Sequence, residues 1–204
     1  MSLSLSRSDI DAIEKRRRAN LINSFAGYKS ANLLGSISSS GQTNLALMSS
    51  VFHIGANPPL VGLLIRPHSV PRHSLENLLE VGQYTLNMVS SNQYKQAHQT
   101  SARYDRTESE FSAAGFTEEY SETLKAPYVA GSPVQTGLSL VETQTLAVND
   151  TVLVIGEIIE LRIADNLMGD DGQLNLNAAN AVAISGLDEY HTARSLGRQP
   201  YAKP

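Results

Sequence analysis

The apolar residues of this 204-residue chain come in short stretches, and their length is the strongest limit on what it can fold into. A helix that crosses a membrane needs roughly 18 consecutive apolar residues. The longest candidates here, Leu60–Ile65 and Val152–Ile159, have the length of a buried strand. Around them the pattern alternates. Leu33, Gly35 and Ile37 interleave with Leu34, Ser36 and Ser38; Tyr84, Leu86 and Met88 with Thr85 and Asn87; Ile159, Leu161 and Ile163 with Glu160 and Arg162. Alternation of this kind turns successive side chains to opposite faces of a sheet. Turn residues fall between the runs at Ser39–Ser40–Gly41–Gln42, Asn57–Pro58–Pro59, Asn149–Asp150 and Asp170–Asp171–Gly172. Hairpin-like neighbours and a continuous apolar strand predict a mainly β chain whose antiparallel sheet closes, or nearly closes, on itself.

Within that sheet Asn44–Ile54 reads as one strand and Leu60–Ile65 as the next. Val134–Leu146 and Thr151–Ile163 form a further pair, the second long enough to require a bend at Gly156. Helices flank the strands. Asp9–Phe25 reads as one helix, capped by Ser8 or Asp9, with Ile10, Ile13, Leu21, Ile22 and Phe25 as a partial apolar stripe. Leu75, Leu78 and Leu79 share a face of a second helix, which Gly82 ends in a left-handed turn. Shorter helices are expected in Asn92–Gln99 and in Glu108–Ala114, the latter closed by Gly115.

Composition removes several function classes. The sequence contains no cysteine, which excludes disulfides, thiolate catalysis, iron–sulfur clusters and the usual zinc sites. A net charge of −4 argues against bulk nucleic-acid binding. The N-terminus lacks the long apolar segment of a secretory signal, so a cytoplasmic protein without a membrane partner is expected. No GxGxxG follows a strand, and no P-loop, HExxH or GxSxG occurs. His68 and His73 are five residues apart, a poor spacing for two ligands on one helix, and no metal site is expected. Tryptophan is missing and only 6% of residues are aromatic, so a flat ring ligand must be held largely by backbone, small polar groups and aliphatic side chains.

One segment carries chemistry. Arg66, His68, Ser69, Arg72, His73 and Ser74 stand before or at a helix start. Free backbone N–H groups, the helix dipole and arginine's paired donors together suit an anion such as a phosphate. The same pattern suits Ser74 as a simple cap with both arginines in water, and on sequence alone the two readings are even. Ser36, Ser38, Ser39, Gly41, Asn44, Ala46, Ser49 and Ser50 would let a ligand approach the backbone closely, although ordinary hairpins have this composition too. Arg16, Arg17 and Arg18 read foremost as a solvated helix face.

Taken in order, NLLGSISSSGQTNLALMSSVFHIGANPPLVGLLIRP, VPRHSLENLLEVGQYTLNMV, HQTSARYDRTESEF, APYVAGSPV, VLVIGEIIEL, DDGQL and GLDEYH resemble the flavin reductase-like family, whose fold is the FMN-binding split barrel. The resemblance implies a six-stranded antiparallel split barrel over residues 29–192, between an N-terminal helical extension, 1–28, and a tail, 193–204. It also implies a homodimer with FMN in a cleft near the subunit interface. By position, Ser49, Ser50 and Val51 are implied to bond the pyrimidine side of the flavin ring, and Arg66, Arg72, His73 and Ser74 to hold its phosphate. Thr100 and Ser101 match a loop near the flavin. Gly186 and Tyr190 match an element that closes the pocket. His53 and His98 read as packed or solvent-facing histidines rather than nicotinamide contacts.

The function implied is an NAD(P)H-dependent flavin oxidoreductase, with a small-molecule electron donor and acceptor and no catalytic side chain, because the cofactor carries the chemistry. Three rivals stay open: a flavoredoxin-like FMN electron carrier, a barrel for another phosphate-bearing ligand such as a deazaflavin, and an interaction domain.

Overall fold

In the computed structural model, which describes residues 2–203, the expected alternation becomes twelve strands and five helices. In chain order the helices are α1 (Arg7–Ala12), α2 (Lys15–Phe25), α3 (His73–Val81), α4 (Tyr94–Gln99) and α5 (Glu110–Ala113). The strands begin with β1 (Lys29–Ser30), β2 (Asn32–Ile37), β3 (Thr43–Met48), β4 (Val51–Ala56), β5 (Pro59–Ile65) and β6 (Gln83–Met88). They continue with β7 (Glu118–Glu119), β8 (Tyr128–Val129), β9 (Val134–Thr145), β10 (Val152–Ile163), β11 (Val182–Ser185) and β12 (Glu189–Thr192). No helix among the described residues is long and apolar enough to cross a membrane.

The main sheet has seven strands in the order β3-β2-β6-β9-β10-β5-β4, one more than expected. Its two edge strands, β3 and β4, are consecutive in the chain and joined only by Ser49 and Ser50. The ribbon read as one strand over Asn44–Ile54 is therefore broken, and its halves occupy opposite edges of the sheet. Counted as one bent ribbon it restores the six strands of a split barrel. The break has a physical cause. Met48 and Val51 both pack against the barrel core, yet residues three apart on an unbroken strand face opposite ways.

That core contains Leu34, Leu63, Tyr84, Leu86, Leu138 and Val154, and α3 closes it with Leu75 and Leu78. Leu79 turns outward instead of joining them, 57% exposed. Two buried polar links hold α3 to the first hairpin: Asn77 Nδ2 donates to Ser36 Oγ at 3.1 Å and Asn44 Nδ2 to Ser74 Oγ at 2.9 Å. Gly82 ends the helix as expected, at φ 72°. The bend in β10 is present as a register shift between Ile155 and Gly156, where Gly156 lies under the Tyr84 hydroxyl. A methyl group there would stand 2.9 Å from Tyr84 Cζ, closer than packed carbons approach.

A second cluster, with Leu33, Leu45, Val89, Phe111 and Ile184, lies between the outer face of the sheet, the short helices and the small sheet β1-β11-β12. The exposed edge of β3 is covered there: the buried Glu110 carboxylate accepts the Leu45 N–H at 2.9 Å, and Thr43 Oγ1 donates to Glu118 at 2.6 Å. Covering an edge in this way blocks strand addition.

The N-terminal helix expected over Asp9–Phe25 is two helices. Ser6, not Ser8 or Asp9, caps the first in a reciprocal box with Asp9, and the Glu14 carboxylate caps the second by accepting the Arg16 and Arg17 N–H groups. Neither helix buries a residue. The partial apolar stripe is too broken to fix one continuous helix against the barrel.

Candidate functional site

The joint between β3 and β4 sets the first part of the site. Ser50 O accepts the Leu64 N–H at 3.1 Å, and Val51 stands opposite Leu63. Arg66, two residues beyond Leu64, leaves the end of β5 exposed. On the other side Asn32 pairs with Met48, so the chain just before β2 reaches the same corner. Lys29 lies there, half-buried, its Nζ donating to Gly186 O at 2.8 Å. Burial and then the charge of Arg66 lower its pKa below the usual lysine range.

The start of α3 is the second part. Arg72 is the N-cap residue, and no side chain caps the helix, so Ser74 is not the cap. Ser74 sits in the first turn, buried, with its hydroxyl bonded by Asn44. Arg72 Nε reaches the Pro67 carbonyl at 3.3 Å. A carboxylate close by draws the cations together: Glu76 accepts from the Arg72 N–H at 3.1 Å, from His68 Nε2 at 2.8 Å and from Arg106. Arg106 also donates to Asn77 Oδ1 at 3.0 Å. Burial works to raise the Glu76 pKa, but the His68 and Arg72 hydrogen bonds and the Arg106 charge bring it below the usual carboxylate range.

The third part is α4 with β12. Ala97 and Tyr94 of α4 share the outer cluster with Leu47, two residues before Ser49. Thr100 is buried at the end of α4 and spends its hydroxyl on the Ala97 carbonyl at 2.8 Å, while Ser101 is exposed. Tyr190 packs edge-on to His98, ring centroids 5.7 Å apart, and its hydroxyl lies 3.0 Å from His98 Nδ1. Burial, then the charge of Asp188, push the Tyr190 hydroxyl up to about 12. Gly186 takes φ 59° in the turn between β11 and β12, a conformation favouring glycine. His53 is exposed on β4.

The structure thus brings Ser49, Ser50, Val51 and Arg66 to one corner. It sets Arg72, His73 and Ser74 across the Pro67–Pro71 loop from it, and holds Thr100, Ser101 and Tyr190 on the α4–β12 side. A cleft of about 470 Å³ beside Ser90–Asn92 is lined by other residues, and one of about 370 Å³ between α2 and the β11–β12 turn takes in Gly186 alone of the residues singled out for the pocket. Lys29, Glu76 and Arg106 were not picked out by sequence. Glu76 stood three residues after His73, in the first turn of a helix with a basic entrance, and that was the available signal for it.

The family described as flavin reductase like domain matches residues 29–179. Among solved structures, a split-barrel protein assigned as a flavin reductase from Shewanella frigidimarina NCIMB 400 is 51% identical, with TM-score 0.95, over 98% of this chain and 100% of that one. Component B of nitrilotriacetate monooxygenase from Bacillus cereus shares the fold at TM-score 0.86 and 18% identity, over 98% of this chain and 99% of that one. Flavoredoxin of Desulfovibrio vulgaris (Miyazaki F) does so at TM-score 0.75 and 20% identity, over 86% and 92% of the two chains.

Proposed function

The chain belongs to the flavin reductase-like family, and from that premise we propose that it is an FMN-binding oxidoreductase that passes hydride from NADH or NADPH to FMN and electrons onward to an acceptor. The observation that carries this reading is the corner where the barrel's bent ribbon meets basic residues: a two-residue serine joint, with Lys29 and Arg66 beside it and an uncapped helix start at the end of the next loop. These residues fit the group. Small side chains at Ser49 and Ser50 admit a flat ring, and the cations together with the α3 amides suit a phosphate.

Bound FMN supplies hydride acceptance and onward electron transfer, so the chain needs no nucleophile of its own. Its own residues bind and orient. Ser49, Ser50 and Val51 offer backbone and hydroxyl groups to the pyrimidine edge, where donors stabilise negative charge on a reduced ring. Arg66, Arg72 and the His73 and Ser74 N–H groups hold the phosphate; the Ser74 hydroxyl, already bonded by Asn44, mainly fixes the helix in place. Thr100 and Ser101 border the ring. Tyr190, protonated throughout the neutral range, closes the pocket as a donor.

The chain works as a homodimer in this reading. Beside the serine joint, Phe52 and Ile54 lie over Gly62, with Leu64 next on the same face, and all three side chains are 38–42% exposed. An apolar patch at a sheet edge is a surface that association buries. A second copy there would turn the open corner into a cleft.

The test is oxidation of NADH and NADPH by the FMN-loaded protein, with free flavin or oxygen as acceptor. Turnover with either nucleotide supports the reading, and none with any acceptor defeats it. The likeness to flavoredoxin favours one second reading, an FMN electron carrier. Fast reduction by a protein donor without direct reduction by nicotinamide would select it. A colourless protein that leaves added FMN unbound would favour a different phosphate-bearing ligand.

A further inference from the structure

We propose that His98 is a positioning residue: it sets whether the Tyr190 hydroxyl spends its one proton within the fold or turns it toward a bound ligand. The proposal rests on the reading of Tyr190 as the residue that closes the flavin pocket. A single hydrogen bond joins the two, Tyr190 Oη to His98 Nδ1 at 3.0 Å, with the rings edge-on and their centroids 5.7 Å apart. Only one proton can lie between these atoms, and a hydroxyl has only one to give. When His98 is neutral, with its own proton on Nε2, Nδ1 accepts and Tyr190 has nothing left to donate. When His98 is protonated, Nδ1–H must donate, the phenol oxygen accepts, and the Tyr190 proton is free for a ligand atom. Tyr190 keeps its proton in both states, because burial and then the Asp188 charge push its hydroxyl up to about 12.

The pair stands where such a change reaches the site. Tyr190 lies opposite Ile184 and Ile184 opposite Lys29, so the three side chains form one row on one face of the small sheet. Tyr190 packs with Tyr94, Ala97 and Leu47 in the outer cluster, and Leu47 is two residues before Ser49. Tyr94 meets the phenol ring from α4, centroids 5.3 Å apart, and holds it in place while the hydroxyl proton turns. The surroundings leave the titration to His98. Asp188 lies in the β11–β12 turn near the phenol, Lys95 Nζ lies over the Tyr94 ring at 5.9 Å, and β3 presents the apolar Leu47. Among the described residues no carboxylate forms an ion pair with His98.

The test has two parts. Nitrogen NMR of the His98 ring reads the proton directly, with no ligand present. In the neutral ring Nδ1 should be unprotonated, and a neutral ring that carries its proton on Nδ1 overturns the proposal. FMN titrations from about pH 8 to about pH 5, the range in which imidazole changes charge, then compare the wild type with Tyr190→Phe. The FMN phosphate and the other histidines titrate alike in both. The wild type should gain about two- to tenfold more affinity on acidification than Tyr190→Phe, the worth of one recovered hydrogen bond. His98 is exposed, so His98→Asn should fold; its amide gives the hydroxyl a partner that does not titrate, and the extra gain should vanish while FMN still binds. Parallel curves for the wild type and Tyr190→Phe overturn the proposal, as does an extra gain that survives in His98→Asn. A wild type that binds no flavin, yet shows the unprotonated Nδ1, defeats the flavin reading and leaves the His98–Tyr190 switch standing.

Discussion

Replacing Arg72 by Ala separates what the helix entrance does for the fold from what it does for the ligand. Arg72 has two roles in the structure. Its backbone N–H bonds Glu76 at 3.1 Å and survives the substitution; its Nε bonds the Pro67 carbonyl at 3.3 Å and does not. Losing that single long hydrogen bond loosens the Pro67–Pro71 loop by about 0.5–1.5 kcal/mol, a cost that falls on any flavin bound beside it. A charge-assisted bond to phosphate adds about 1.5–3 kcal/mol, which only a phosphorylated flavin feels. Riboflavin affinity should therefore fall by no more than about tenfold. FMN affinity should fall by a further factor of roughly 10 to 150, from the conversion of 1.4 kcal/mol per tenfold. Fluorescence quenching titrations of the two flavins against wild type and Arg72→Ala read the difference directly. Equal losses for both flavins would refute the assignment of Arg72 to the phosphate and leave it a loop anchor.

Other consequences can be checked without the phosphate. The Tyr84 hydroxyl is buried with no partner, so Tyr84→Phe should gain about 1–3 kcal/mol in urea unfolding. Gly156→Ala should cost about 1–3 kcal/mol by crowding the same ring, and the double variant should recover part of that loss. Burial raises the Glu110 pKa above its ordinary 4.5, partly offset by the Leu45 N–H, so the folded state favours the protonated acid. Its ionisation therefore subtracts stability as pH rises through and above 4.5. Measured against Glu110→Gln, the wild type should gain as pH is lowered from 7 toward 4.5, and a flat difference would contradict the assignment. Phe52→Ser with Ile54→Ser should halve the mass seen by light scattering and weaken FMN; a wild type already monomeric at micromolar concentration refutes the homodimer.

What the sequence revealed was local. The α3 helix, its left-handed end at Gly82, the turn at Gly41 and the bend at Gly156 each depend on residues within one or two turns of chain, and all are present. The break at Ser49–Ser50 was missed although its signal was printed in the sequence: Met48 and Val51 are both apolar at odd spacing, which one straight strand cannot bury together. Leu79 was misplaced by grouping it with Leu75 and Leu78, when only the latter two point into the barrel. The division of the N-terminal helix turned on a glutamate cap at Glu14, a weaker signal than serine or aspartate. Other contacts were beyond local reading. Arg106 meets Glu76 across 30 positions and Lys29 meets Gly186 across 157, and no spacing rule connects residues that only a closed barrel brings together.

Closure also explains why the proposed site falls at this seam. In a sheet wrapped into a barrel, interior strands spend their backbone groups on one another, and free donors and acceptors remain only where the ring of hydrogen bonds is interrupted. Here the interruption lies between β3 and β4, and the two edges are treated differently. Glu110 of α5 seals β3 by accepting the Leu45 N–H, and Thr43 of β3 donates to Glu118, whereas β4 is flanked by exposed Phe52 and Ile54. Sealing one edge and leaving the other open directs any incoming polar ring edge or second sheet to the side where Ser49, Ser50 and Arg66 stand. The serine joint therefore does two jobs: its kink lets one ribbon close the barrel, and its small side chains leave the opening accessible. A bulky residue at Ser50 could satisfy the first requirement, being exposed, but not the second.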